Sequence, residues 1–386
     1  MAAWFFLAVP PASAGSLTDW SLSPVSGGFD DWTATLEGTA SGALYAGSGA
    51  GLDRTGVTGS LLLLPRLRRD FDNGWELGLH AAILAHHDAL SGDSYGDRVF
   101  EKFYVSLDTQ YGRFELGQQD GAAYQLAVTG PKVDATASLD DANVSFHRDP
   151  ATGRAFVDLF PLRVAEFATA NDAKLSYFSP VLYGLEFAAS FTPRDVRGGL
   201  PFVAADPDTA DRQSGLAEAA LGYTTALGPA TVTAYAGGVL GQITDRMPDH
   251  EGLRDWAIGG GVDVPLDTLK LSFGGAWRQS NAYTFDIADA FADGALTRGA
   301  RLSASLTSGP WIAGVEYAIA RADQAGTLPS LAQTGYEPSL AYVFNSNLQL
   351  TLGWQMQHFM RSSGTFFNGD QSVDLSALFL HAALHV

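Results

Sequence analysis

The sequence predicts an all-β chain in which about 16 antiparallel strands close into a transmembrane β-barrel. Three observations lead there. Segments of roughly 9–13 residues alternate apolar and polar side chains strictly, as strands with one greasy face do. Their connections alternate between turns of about two to four residues and stretches of roughly 11 to 25, the outer-membrane barrel arrangement. Aromatic residues gather beside the short turns, at Phe71, Trp75, Phe114, Trp311, Tyr342 and Phe344, where rings favour the boundary between hydrocarbon and headgroups.

Taken in order, Trp32, Ala34, Leu36, Ala40 and Leu44 share one parity against Thr33, Thr35, Glu37, Thr39 and Ser41. Leu61, Leu63 and Leu67 alternate with Leu62, Leu64, Arg66 and Arg68. After the hairpin signal Asp72-Asn73-Gly74 come Trp75, Leu77, Leu79, Ala81 and Ile83, set against Glu76, Gly78, His80 and Ala82. Phe103, Val105 and Leu107 oppose Lys102, Tyr104, Ser106 and Asp108, and Phe114 and Leu116 follow a Tyr-Gly turn. Residues 174–191, KLSYFSPVLYGLEFAASF, read as a hairpin whose second arm sets Leu185, Phe187, Ala189 and Phe191 against Glu186, Ala188 and Ser190. Further hairpins join 217–223 to 232–236 across Leu227-Gly228-Pro229, and 256–264 to 269–277 across residues 265–268. Others join 300–306 to 311–317 across Ser308-Gly309-Pro310, and 336–344 to 348–354 across Asn345-Ser346-Asn347. A last strand carries Leu378, Leu380, Ala382, Leu384 and Val386.

Composition narrows the function classes. Charged residues make up 17% of the 386, below the ~25% usual for soluble domains. No apolar run reaches the ~18 residues that a membrane helix needs. The net charge of -19 leaves no basic stripe for a nucleic-acid partner. With no cysteine there is no disulfide, thiol nucleophile or cysteine zinc site. The opening MAAWFFLAVPPASAG places an apolar stretch, Ala2–Val9, before Ala12-Ser13-Ala14. That pattern predicts a signal peptide over residues 1–14, shortened at its start because no basic residue precedes the apolar part. Residues 15–386 are then the barrel domain.

The polar parity is rich in charge: Glu37, Arg66, Arg68, Glu76, Lys102, Asp108, Glu186, Glu218, Asp263, Lys270, Arg278, Arg301, Glu316 and Gln355. In a soluble sandwich these side chains would form a solvated outer face. A barrel of ~16 strands is instead too wide for side chains to fill, so its polar parity lines water unless something plugs it. The connection over residues 119–173 stands out, because a loop that long in a compact chain is usually functional or disordered. It holds apolar residues such as Tyr124, Leu126 and Val128 and acids including Asp120, Asp134, Asp140, Asp141 and Asp149.

At FEKFYVSLDTQYGRFELGQQDG (100–121) and KLSYFSPVLYGLEF (174–187) the chain resembles the general diffusion porins of Gram-negative outer membranes. The first stretch resembles the aromatic-Val-Gly-Leu, Phe-Gly and Leu-Gly-Arg-Gln pattern before that family's third loop. The second resembles its Tyr-x-Ser-Pro-x-x-x-Gly-aromatic signature. The resemblance implies a 16-stranded trimeric barrel whose third loop, here 119–173, folds inward to narrow the channel. It implies a basic wall at Arg66, Arg68, Arg98 and Lys102, facing loop acids at Asp134, Asp140 and Asp141.

Other chemistry finds little support. His86 and His87 are neighbours on a strand, so their side chains point to opposite faces and do not suit one metal ion. Gly259-Gly260-Gly261 lies within a strand and not between a strand and a helix, so it is no phosphate cradle. The sequence contains no HExxH, GxSxG or P-loop pattern. The expectation is a channel, not an enzyme, with no cofactor and no metal. It would sit in the Gram-negative outer membrane among lipid and lipopolysaccharide and pass ions and small hydrophilic solutes, its acid-rich loops suggesting a modest cation preference. Two alternatives stay open: a substrate-selective outer-membrane channel, and a secreted soluble β-rich protein that binds ligand on its loops.

Overall fold

Alternation with a period of two is realised as a single ring of antiparallel strands. The computed structural model describes residues 22–49, 54–87, 100–139, 164–165, 169, 172–194, 212–244, 252–281, 296–323, 330–361 and 371–386. In chain order the elements are β1 (Val25–Phe29), β2 (Trp32–Ser48), β3 (Arg54–Asp70), β4 (Glu76–His87), β5 (Phe100–Thr109) and β6 (Gly112–Gln118). A short helix α1 (Ala122–Gln125) follows, then β7 (Ala173–Phe178), β8 (Leu185–Arg194), β9 (Arg212–Leu227), β10 (Ala230–Thr244), β11 (Leu253–Leu266) and β12 (Leu269–Ser280). The last are β13 (Leu296–Ser308), β14 (Trp311–Asp323), β15 (Leu331–Val343), β16 (Leu348–Arg361) and β17 (Gln371–His385).

Every strand from β2 to β17 pairs with the next, and β17 returns to β2 with Ser376 opposite Ser48 and His385 opposite Thr39. This is the expected 16-stranded barrel. The ladder runs on through Val386, which exchanges backbone hydrogen bonds of 3.0 and 2.9 Å with Gly38. Closure leaves no edge, so each strand backbone finds partners without water. Strand β1 was not foreseen in the sequence. It folds back on the lower half of β2, from Val25 opposite Leu36 to Phe29 opposite Trp32, and so occupies the seam below the end of β17. Asn347 fastens that seam. Its side chain accepts from the Leu22 amide at 2.9 Å and donates to the carbonyls of Leu22 (2.8 Å) and His385 (2.6 Å).

The two faces divide as the parity requires. Outward Leu302, Leu240 and Leu116 are 66%, 64% and 62% exposed, whereas inward Arg301, Val239 and Glu115 are 1%, 1% and 3% exposed. Aromatic rings meet beside the short turns: Trp311 and Tyr342 at 4.7 Å, Tyr342 and Phe344 at 4.7 Å, and Phe114 and Tyr177 at 5.0 Å. At the other rim Trp256 and Trp277 pack at 4.4 Å. Along β11 from Trp256 to Leu266 the rise is ~33 Å, which at a tilt of ~40° spans the ~25 Å apolar band of such barrels.

Short turns join β9 to β10, β11 to β12 and β13 to β14, with Gly228, Asp267 and Gly309 at φ of 61, 50 and 55°. Asp tolerates that left-handed conformation better than most residues other than Gly. Pro265, expected in a turn, belongs to β11. Several strands are longer than the sequence suggests, with 17 residues in both β2 and β3, so their long-side connection shrinks to residues 49–53. A closed ladder carries strands beyond the hydrocarbon, where side chains need not be apolar and alternation no longer marks them.

Candidate functional site

The described start of the connection from β6 to β7, residues 119–139, turns into the barrel and follows its inner wall. It starts with α1, which contacts β7, β8, β9 and β10. Leu126, Ala127 and Val128 then pack on Ala220, Tyr235 and Ala257. Farther along, Val133 reaches β16, where its carbonyl accepts from Gln349 Nε2 at 3.0 Å. Ala137 sits among Ala43, Tyr45, Ala377 and Phe379 of β2 and β17, and Leu139 turns back onto Ala318 and Ala320 of β14. The wall beneath it is shaved to glycine. A Cβ on Gly259 would lie 1.9 Å from the Val128 carbonyl oxygen, and one on Gly314 would lie 2.6 Å from a Val133 methyl. Within the Gly259-Gly260-Gly261 run, Gly259 thus has a packing purpose.

Buried polar groups hold this strap at separate points. At its root the Glu218 carboxylate accepts from the Ala123 amide (3.3 Å), the Ser190 hydroxyl (2.7 Å) and the Thr169 hydroxyl. Glu316, ion-paired to Arg301 at 2.9 Å, accepts from the Leu139 amide at 3.0 Å. Asp134 makes the densest set: Thr351 Oγ1 donates at 2.6 Å, His381 Nδ1 lies at 2.8 Å, and the Thr136 amide and hydroxyl donate at 2.9 Å. Burial alone would raise the Asp134 carboxyl. The His381 hydrogen bond and charge, with those from Thr351 and Thr136, outweigh it and hold the group below the usual carboxylate range.

The described strap lies along β7 to β17, reaches β2 at Ala43 and Tyr45 and meets β6 through Gln125, which bonds Arg113 and Glu115; elsewhere it leaves the inner faces of β2 to β5 open. A cavity of about 400 Å³ opens there, lined by Glu37, Arg66, His80, Lys102, Tyr104 and Arg113 among others. His80 stacks on Tyr104 with ring centroids 4.5 Å apart. Each cation of this wall has a carboxylate beside it. Arg66 pairs with Glu76; Arg68 reaches Asp70 at 3.0 Å and Glu76 at 3.6 Å. Lys102 meets Asp120 at 2.5 Å, and Arg113 meets Glu115 at 2.9 Å. In the pairs with Glu76 and Glu115 the basic ends are the wetter ones, Arg66, Arg68 and Arg113 side chains being 41%, 42% and 40% exposed against 22% for Glu76 and 3% for Glu115; in the Arg68–Asp70 pair the acid is the wetter, at 61%.

Of the residues singled out in the sequence, Arg66, Arg68 and Lys102 stand together on this wall. Asp134 lies elsewhere. The resemblance casts it as a loop acid facing the basic wall, but its carboxylate is turned into β16 and β17, and the residue is 4% exposed. Arg98, Asp140 and Asp141 fall outside the described residues, as do the side chains of His86 and His87. The sequence reading passed over Arg113 and Glu115, although they occupy the inward parity between Phe114 and Leu116. Asp120 was visible as a loop acid, and only the fold brings it to Lys102.

A family model described as Gram-negative porin matches residues 2–364. A search of curated protein sequences returned no match. Among solved structures the chain is similar to OmpT, an outer membrane protein of Vibrio cholerae, with 11% identity and a TM-score of 0.58 over 93% of this chain and 99% of that one. It is also similar to an anion-selective porin from Comamonas acidovorans, with 15% identity and a TM-score of 0.55 over 92% and 100%. The outer membrane channel DcaP of Acinetobacter baumannii gives 12% identity and a TM-score of 0.56 over 92% and 97%. At these identities the structures speak for the fold, and the family match spans nearly the whole chain. The chain therefore belongs to the Gram-negative porin family and forms a passive-diffusion channel of the outer membrane.

Proposed function

We propose that the waist of this channel lies between the strap and the β2–β6 wall, and that Arg66, Arg68, Lys102 and Arg113 set its electrostatics. Ions and small hydrophilic solutes would cross it down their gradients, with no turnover chemistry and no cofactor. Arg98, Asp140 and Asp141 remain candidates for the same waist on the strength of the family resemblance. The observation that carries the reading is local pairing: each described cation of the wall has a carboxylate beside it, on the wall itself for Arg66, Arg68 and Arg113 and at the start of the strap for Lys102. Such a surface is close to neutral, so it supports weak ion selectivity more than the cation preference that overall composition suggests. Planar-bilayer recording tests this. A reversal potential near zero in a KCl gradient is expected, and a strongly rectifying or sharply ion-selective pore would refute it. Saturable block by one solute class would favour the substrate-selective alternative.

Residues 1–14 fit a signal peptide and 15–386 the barrel, with 119–173 as the constriction region. We also infer a homotrimer, because the similar structures include a trimer form of OmpT from Vibrio cholerae, at 12% identity and a TM-score of 0.58. Surrounding lipid and lipopolysaccharide complete the expected partners.

A further inference from the structure

We propose that the stacked rings of His80 and Tyr104 determine which neutral solutes cross the waist fastest, favouring rigid cyclic sugars over open-chain polyols of equal carbon number. Such a preference rests on the proposed waist at the β2–β6 wall and gives it a solute class. Register builds the ring pair. On the inward parity Arg66 of β3 stands opposite His80 of β4, and His80 opposite Tyr104 of β5. Directly opposed side chains start about 5 Å apart, and these rings stack with centroids at 4.5 Å and planes 7° from parallel. Two neighbours fix them. His80 Nε2 lies 2.9 Å from Ser106 Oγ, an approach that needs Gly78, because a Cβ there would meet both atoms. Opposite Tyr104 on β6 stands Gly117, at φ of 137°, which brings no side chain over the second face of the phenol ring.

Three features select the class. The ring pair lines the cavity of about 400 Å³ beside the cations, and aromatic faces carry negative charge density that attracts the partly positive C–H groups on the flat face of a pyranose. Hydroxyls at the edge of such a sugar both donate and accept. The wall offers a donor and an acceptor together at each pair: Arg66 with Glu76, Lys102 with Asp120, Arg113 with Glu115. A solute carboxylate or phosphate would instead have to displace a carboxylate already in place. Rigidity completes the selection, since a ring crosses with its conformation set, whereas an alditol must freeze several torsions to lie flat on the rings. The preference concerns passage rate, and the channel remains a diffusion pore.

The test is swelling of liposomes that hold the full chain, in isosmotic D-glucose or D-sorbitol. Wild type should admit glucose faster than sorbitol, and the ratio of rates should fall about twofold in Tyr104→Leu, which removes the π face. Tyr104→Phe keeps the ring and should keep the wild-type ratio. Using the ratio cancels any change of bore that raises both rates together. Heat-modifiable gel mobility and ion conduction in planar bilayers confirm that each variant is a folded channel. If Tyr104→Leu does not fold, His80→Leu serves, because it removes the ring that holds Tyr104, and its ratio should also fall. Glu76→Gln tests the waist separately: the rings stay in place, and the reversal potential moves if the β2–β6 wall controls the passage. A ratio unchanged in the leucine variants, or lost in Tyr104→Phe as fully as in Tyr104→Leu, would overturn the proposal. An unchanged ratio beside a shifted Glu76→Gln potential defeats the ring surface alone, and no effect of either defeats the waist as well.

Discussion

Glu76 is shared by two guanidiniums, since Arg66 pairs with it and Arg68 approaches it at 3.6 Å. Replacing it with Gln keeps the shape of the wall and removes one negative charge, leaving both cations less compensated. For an ion passing ~6 Å away, a unit charge in water is worth ~0.7 kcal/mol, which a Debye length of ~10 Å at 0.1 M salt reduces to ~0.4 kcal/mol. The change has opposite signs for potassium and chloride, so their permeability ratio should move roughly three- to fourfold toward chloride. Across a tenfold KCl gradient this is a shift of the reversal potential by about 25 mV in the anionic direction, fading as salt is raised. Unit conductance should change far less. A reversal potential that stays put, or moves toward cations, would show that the β2–β6 wall does not control the passage.

Asp134→Ala should free the strap from β16 and β17, since breaking a buried pair typically costs about 3–5 kcal/mol. Single-channel traces should then flicker, and traces as quiet as wild type would refute the anchoring role. The pH dependence has a definite sign. A carboxyl depressed in the folded state contributes stability that is fully present above its unfolded value of ~3.9 and is lost as pH falls through its lower folded value. Wild type should thus stay quiet at pH 5 and flicker only well below ~3.9, whereas the variant flickers at every pH. Gly259→Val should push the strap off β11, at an overpacking cost of about 1–3 kcal/mol, and lower the unit conductance; unchanged conductance would mean that the strap does not bound the waist. Asn347→Ala removes hydrogen bonds to Leu22 and His385 at about 1 kcal/mol each. It should lower the temperature of the heat-modifiable gel transition without altering ion preference, and an unshifted transition would count against the seam contact.

Much of the ring was legible because period two is unforgiving: Leu302 and Arg301 cannot exchange faces without moving a whole strand. The same parity assigned Arg66, Arg68 and Lys102 to the interior. It would have assigned Arg113 as well, had the short run around Phe114 been read on both faces. What escaped was everything that depends on where the strap lies. A loop has no periodicity, so nothing in the sequence marks Asp134 as the partner of His381, which lies far along the chain. The glycine run of β11 was recognisable as strand, but the carbonyl of Val128 that requires Gly259 appears only in three dimensions. Strand β1 was missed because VSGGF has too little alternation to announce pairing.

The glycine-shaved track beneath the strap separates two tasks that a simple tube would combine. Circumference is set by the number of staves, which cannot change without rebuilding the entire cylinder. On the proposed waist, bore is set by how closely the inner liner hugs the side away from the charged arc. Single substitutions on the liner or its bed can therefore widen or pinch the aperture while the lipid-facing shell stays the same.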